Sequence, residues 1–149
     1  MGEEISKCAT LTSLNLDLSK NSIGDDGVKY LGEAISKCVN LTWLNLNLSY
    51  NFNIFDLGAK YLGSEISKCV NLTSIKINLT HTFIVKNAAK YLGEGISKCV
   101  TLSSLDMDLS RIRIDDIGAQ NLGKVFSNCV TLTSLKLFLC EGDIGDNSA

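Results

Sequence analysis

The side chains able to do chemistry are few. His81 is the one histidine, Arg111 and Arg113 are the two arginines, and six cysteines stand at positions 8, 38, 69, 99, 129 and 140. A lone histidine leaves no multi-histidine metal centre, and no cysteine pair has the C-x-x-C spacing of a zinc site. A Cys–His nucleophile needs a thiol beside the imidazole. The cysteines follow helix-like segments, whereas His81 follows a strand-like one, so the two belong to different corners of the molecule. Asp106 and Asp108 share one face of a strand and could hold a cation, but a solvated acidic spot is the simpler expectation. The glycines lack the lysine of the phosphate loop G-x-x-x-x-G-K-[ST]. These residues predict no enzyme, no cofactor and no metal.

The cysteines are more informative as markers of spacing. Cys8, Cys38, Cys69, Cys99 and Cys129 recur every 30 or 31 residues, and only Cys140 leaves the series. Such a series places each thiol in the same environment on successive units. Units about 10 Å apart exceed the roughly 7 Å Cα separation that a disulfide tolerates. Buried free thiols and a reducing, cytoplasmic location are the expectation. Asn40, Asn47, Asn71 and Asn78 each open an N-x-[ST] triplet, which a repeat rich in Asn, Leu, Ser and Thr produces by chance.

Net charge is −2 with no basic block, so no electrostatic case exists for nucleic acid or an anionic membrane. No apolar run approaches the roughly 18 residues of a membrane span. The opening MGEEISKCATL has no basic-then-apolar leader pattern. A length of 149 residues, 45% of them hydrophobic, makes one domain over 1–149.

What must position these residues is a phrase repeated five times. LTSLNLDLSKNSI (11–23) returns as LTWLNLNLSYNFNI, LTSIKINLTHTFI, LSSLDMDLSRIRI and LTSLKLFLCEGDI. Leu14, Leu16 and Leu18 alternate with polar residues, as in a strand with one buried face. Gly27, Leu31 and Ile35 then fall at helical intervals, as do Gly58, Leu62 and Ile66, Ala88, Leu92 and Ile96, and Gly118, Leu122 and Phe126. Small residues at the first of these positions are expected to let helix and sheet approach. Asp25 and Asp26 precede the first stripe and suit a helix N-terminus. Strand, helix and parallel strand imply a right-handed crossover. Strands space at about 4.8 Å and helices at about 10 Å, so the stack curves with its sheet inside.

The phrase L-x-x-L-x-L, here Leu11, Leu14 and Leu16, followed by Asn21, Ile23, Gly27, Leu31 and Ile35, resembles a leucine-rich repeat of the ribonuclease-inhibitor-like type. The resemblance covers essentially the whole chain. An extra step at Leu18, Leu48, Leu79, Leu109 and Leu139 lengthens the strand, as in large arrays of single-celled eukaryotes, sometimes beside a kinase domain. The family's asparagine, present as Asn21 and Asn51, becomes Thr82, Ile112 and Gly142. The resemblance implies an α/β solenoid, a horseshoe segment with its parallel sheet concave and its helices convex. Five strands and four complete helices are predicted, with Met1–Cys8 as the tail of a further helix. No dedicated caps are visible, so self-association through the ends, or membership of a longer array, is expected.

Outward strand residues then form columns on the concave face: Ser13, Trp43, Ser74, Ser104 and Ser134; Asn15, Asn45, Lys76, Asp106 and Lys136; Asp17, Asn47, Asn78, Asp108 and Phe138. Exposed aromatics among polar groups suit a protein or peptide partner. The candidate contact residues are Trp43, Asn45, Asn47, Tyr50, Lys76, Asp106, Asp108 and Phe138, with Tyr50 extending the patch at the rim. Trp43 folded over Asn15 and Lys76 is the plainer alternative. Tyr30, Tyr61 and Tyr91 read as helix packing. Two other functions stay open. Family members that activate GTPases use a rim residue, a role the resemblance would pass to Arg111. A spacer in a larger or kinase-linked assembly would bind by its edges.

Overall fold

The structure, a computed structural model, describes residues 9–85 and 87–140. Strands and helices alternate throughout: β1 (Ser13–Asp17), α1 (Asp25–Ser36), β2 (Trp43–Asn47), α2 (Asp56–Ile66), β3 (Ser74–Asn78), α3 (Ala88–Ile96), β4 (Ser104–Asp108), α4 (Asp116–Asn128) and β5 (Ser134–Phe138). The strands form one parallel sheet in chain order. Register is constant: Ser13 pairs with Trp43, Trp43 with Ser74, Ser74 with Ser104 and Ser104 with Ser134. This is the expected right-handed leucine-rich-repeat solenoid, sheet concave and helices convex. The proposed helix tail at Met1–Cys8 and the Gly142 position lie outside the described residues.

Burial follows the two periods from β2 to β4, whereas in the last described strand Leu135 is exposed. Leu44, Leu46, Leu48, Ile75, Ile77, Leu79, Leu105, Met107 and Leu109 are fully buried, and Leu62, Ile66, Leu92 and Ile96 meet them from the helices. Phe126 departs from its predicted inward place: it is exposed, and the smaller Val125 fills the interior instead. α4 is the last described helix and only α3 packs on it, so a side chain on its outer flank is left uncovered. Tyr91 packs against the core as expected, but Tyr30 is largely exposed.

The glycines that matter for packing lie later in the helices than predicted. A Cβ on Gly58 would meet Asp25 and Ile54 rather than the sheet. On Gly63 it would strike the backbone of Tyr91, on Gly93 that of Asn121, and on Gly95 that of Gly63. Close approach is therefore helix to helix.

Capping also crosses between coils. Asp25 does not cap α1, whose N-cap, Gly24, has no side chain to do so. Its Oδ1 accepts from the Phe55 and Gly58 amides, each at 2.8 Å, at the start of α2. Asp56 likewise accepts from the Val85 and Asn87 amides. Only at α4 does an aspartate cap its own helix, Asp115 accepting from Gly118 at 2.8 Å. Asn51, fully buried, donates to the carbonyls of Leu18 and Leu48 at 2.9 Å and accepts from the Ile23 amide at 3.0 Å. Asn21 bonds only within its own turn, the Thr82 hydroxyl reaches the Leu79 carbonyl, and Ile112 is buried without a polar link. The asparagine link between coils is thus made at Asn51.

Cys38, Cys69, Cys99 and Cys129 are free and buried, and Cys140 is exposed. The Cys99 thiol donates to the Ile66 and Cys69 carbonyls of the preceding coil, and Cys129 repeats this toward Ile96 and Cys99. Burial pushes the Cys69 thiol up to about 11 and that of Cys99 up to about 12, and raises Cys129 as well. Among the described cysteines, iodoacetamide at neutral pH should therefore modify Cys140 alone in the folded chain, as mass spectrometry would read. Below pH ~9 both folded and unfolded thiols keep their protons. Above it the unfolded chain loses protons that the folded chain retains, so stability falls as pH rises from about 9 toward 12. Thermal melting across that range should show the decline, reduced in Cys99→Ala.

Candidate functional site

The concave face forms because alternate strand residues point away from the leucine layer. Constant register sets the outward residues in the expected columns. Within the central column the Asn45 amide donates to Asn15 Oδ1 at 2.8 Å, and Lys76 pairs with Asp106 at 3.1 Å. In the next column Asn47, Asn78 and Asp108 turn an oxygen back to the amides of Ser49, Thr80 and Ser110. Asp17 does the same for Ser19, whose hydroxyl and then amide hydrogen bonds hold its carboxyl below the usual range. The floor is thus a fixed polar lattice. Asn40 and Asn71 bond the Ala9 and Val39 carbonyls of the preceding coil. Among the described residues no cluster of three His, Cys, Asp or Glu could hold a metal ion.

Two aromatics stand on this lattice at opposite corners. Trp43 opens β2 and is 37% exposed; Phe138 closes β5 and is 49% exposed. Tyr50 follows the far end of β2, so about 13 Å of strand separates it from Trp43. The structure groups Tyr50 with a different set. Its ring stacks on His81 with centroids 4.2 Å apart and planes 10° from parallel, and Lys20 Nζ sits 5.7 Å from its centroid. His81 Nδ1 is buried without a hydrogen-bond partner. Lys20, Tyr50, His81 and Arg111 occupy one position in successive coils, and all four have positive φ, between 55° and 71°.

Beside this ladder lies an apolar cluster that strand and helix periods do not reveal. Phe83 sits 5.8 Å from Phe52 and 5.9 Å from Phe55, and all three rings, with Val85, are exposed. The Phe83 amide donates to the Ile54 carbonyl at 2.9 Å, and the Arg113 amide to that of Val85 at 3.0 Å, so the connections are laced together. A signal was present: three of the chain's five phenylalanines fall in two consecutive connections, where turn-forming polar residues are usual. On the convex side, a groove of about 240 Å³ runs between α2 and α3, lined by Lys60, Ser64, Tyr91 and Lys98.

No family model and no curated protein matches the chain. Among solved structures it is similar to one named leiomodin-1 actin-binding site 2. The TM-score is 0.66 at 16% sequence identity, covering 93% of this chain and 77% of that one. At that identity the likeness is one of fold.

Proposed function

We propose that this chain is a non-enzymatic protein-interaction module, a single ribonuclease-inhibitor-like leucine-rich-repeat domain that receives a protein or peptide on its concave face. The observation that carries this reading is the exposure of Trp43 on a sheet where Asn15, Asn45, Asn47, Lys76, Asn78, Asp106 and Asp108 are already hydrogen-bonded or ion-paired. A rigid polar floor with a large amphipathic side chain above it loses little freedom on binding, which favours an anchor. Asn45, Asn47, Lys76, Asp106, Asp108 and Phe138 would surround that anchor. The half-exposed Lys76–Asp106 pair contributes little by itself, so its part is to fix orientation. No described helix is long and apolar enough to cross a membrane. Cys38, Cys69, Cys99 and Cys129, buried as small core side chains, suit a reducing compartment.

A similar fold bears the name of an actin-binding site, so monomeric actin is the first partner to offer, followed by proteins crosslinked to the concave face. Trp43 is the only tryptophan, and its emission should shift to the blue as a partner covers it. Trp43→Ala should weaken that complex by roughly 30-fold, the effect of losing a hot-spot anchor worth about 2 kcal/mol. Affinity unchanged within about twofold, with no spectral shift, would remove the concave face from the reading.

A further inference from the structure

We propose that copies of this chain stack head to tail, with β1 of one copy pairing to β5 of another as a sixth parallel strand, in the register that already joins the coils within the chain. The contact uses the two flanks of the solenoid and stands apart from the concave face.

Burial shows what each flank lacks. Leu105 is 1% exposed and Leu109 fully buried, whereas Leu135 and Leu139, their equivalents in the last described coil, are 41% and 39% exposed. At the other flank Leu14 and Leu16 are only partly buried, although Leu44 and Leu46 are sealed. Inside the chain these leucines are covered by coils of the same pattern. The surface that matches either flank is therefore another such coil, and each copy carries one on its opposite side.

Hydrogen bonds make the two flanks complementary as well as apolar. Within the chain one carbonyl, that of Thr12, Thr42, Thr73 or Ser103, accepts two amides at the start of the following strand. A threonine or serine hydroxyl from the same place joins them. The Thr133 carbonyl is the next acceptor in this series. The Thr12 and Ser13 amides and the Thr12 hydroxyl are the matching donors, and no described residue meets either set. At the far end of the strands the sense reverses. Leu18 donates to the Asn47 carbonyl and Leu109 to that of Phe138, each at 2.9 Å. The Leu139 amide and the Asp17 carbonyl are the donor and acceptor left over. An open edge of this kind is a template for a further strand.

Continued in the same register, the ladder sets Ser13 beside Ser134, Asn15 beside Lys136 and Asp17 beside Phe138, with no like charges opposed. The helix position between α4 of one copy and α1 of the next falls on residues outside those described, so the contact rests on the strands and their turns. Because the patch on one copy meets a different patch on its neighbour, both outer flanks stay open and growth does not stop at a dimer.

Sedimentation equilibrium of the full chain tests this. The weight-average mass should rise at least about twofold between about 5 and about 500 μM, without levelling at two chains. Ser13→Pro removes an outward amide at the start of an edge strand, where proline is tolerated, and Leu139→Lys places a charge at the junction. Each should hold the mass at that of one chain, with Tm within about 3 °C of the parent. Trp43→Ala should leave the rise unchanged, which separates this contact from the concave face. In a Cys8→Ser, Cys140→Ser background, Ser13→Cys chains mixed with Ser134→Cys chains should form a mutual disulfide under mild oxidation, since paired residues lie about 4.8 Å apart. Neither should crosslink to itself. Constant mass over that range, a crosslink between two Ser13→Cys chains, or association that survives both flank variants would overturn the proposal.

Discussion

Asn51→Ala should destabilise the chain by about 3 kcal/mol, while Asn21→Ala at the equivalent position of the preceding coil should cost less than about 1 kcal/mol. The difference follows from burial and partners. Asn51 is fully buried and satisfies the Leu18 and Leu48 carbonyls and the Ile23 amide at once. Alanine leaves those groups unpaired where water does not reach, and each orphan costs about 1–3 kcal/mol. Asn21 is exposed, and the Leu18 and Ser19 carbonyls it serves can turn to solvent. For a chain of this size the Asn51 loss lowers Tm by roughly 10 °C. Calorimetry of both variants decides it; equal losses would mean that the link between coils carries no special weight.

One substitution repeated at equivalent positions should change sign along the solenoid. Gly32, Gly63, Gly93 and Gly123 follow the inward leucine of each helix. A Cβ at Gly63 would strike the Tyr91 carbonyl, and at Gly93 it would come within 2.7 Å of the Asn121 backbone, whereas at Gly123 no described residue lies within 4 Å. At Gly32 the nearest atoms, 3.0 Å away, are Cβ and Cγ of Glu65, which need give by only a few tenths of an ångström. Gly63→Ala should therefore cost about 3 kcal/mol, because backbone cannot rotate aside. Gly123→Ala should gain about 0.5–1 kcal/mol from the helix preference of alanine, and Gly32→Ala should fall between. Urea titration of the three variants reads the order, and a loss at Gly123 would contradict the packing described.

Strands and helices were legible because each is set by residues within one unit. The alternation of Leu44 and Leu46 and the stripe of Leu62 and Ile66 need no knowledge of neighbouring coils. Constant register then followed from constant spacing, and with it the columns through Trp43, Lys76 and Asp106. What escaped were contacts between units. Asp25 reads as a cap for its own helix, yet the space left by Phe55, a residue without an acceptor, draws it onto the next one. Tyr50 reads as a neighbour of Trp43 on the same strand unit, but stacks with His81 because their turns share one left-handed geometry. Phe126 was assigned by interval alone, without regard to its place on the last described helix, which packs on one neighbour only. The aromatic rim was missed for a similar reason. Phe52, Phe55 and Phe83 lie in connections, outside either period, and only the lateral stacking of coils brings them together.

That lateral stacking has a mechanical consequence. Each described helix packs only on the helices adjacent in the chain, and each strand on its adjacent strands, with no contact between described elements that bypasses a coil. Among the described residues nothing closes the stack into a ring, so opening need not be all or none. Either flank can peel while the remainder keeps its hydrogen bonds, and amide exchange slows progressively toward the third coil. Under tension such a molecule yields like a spring that unwinds turn by turn.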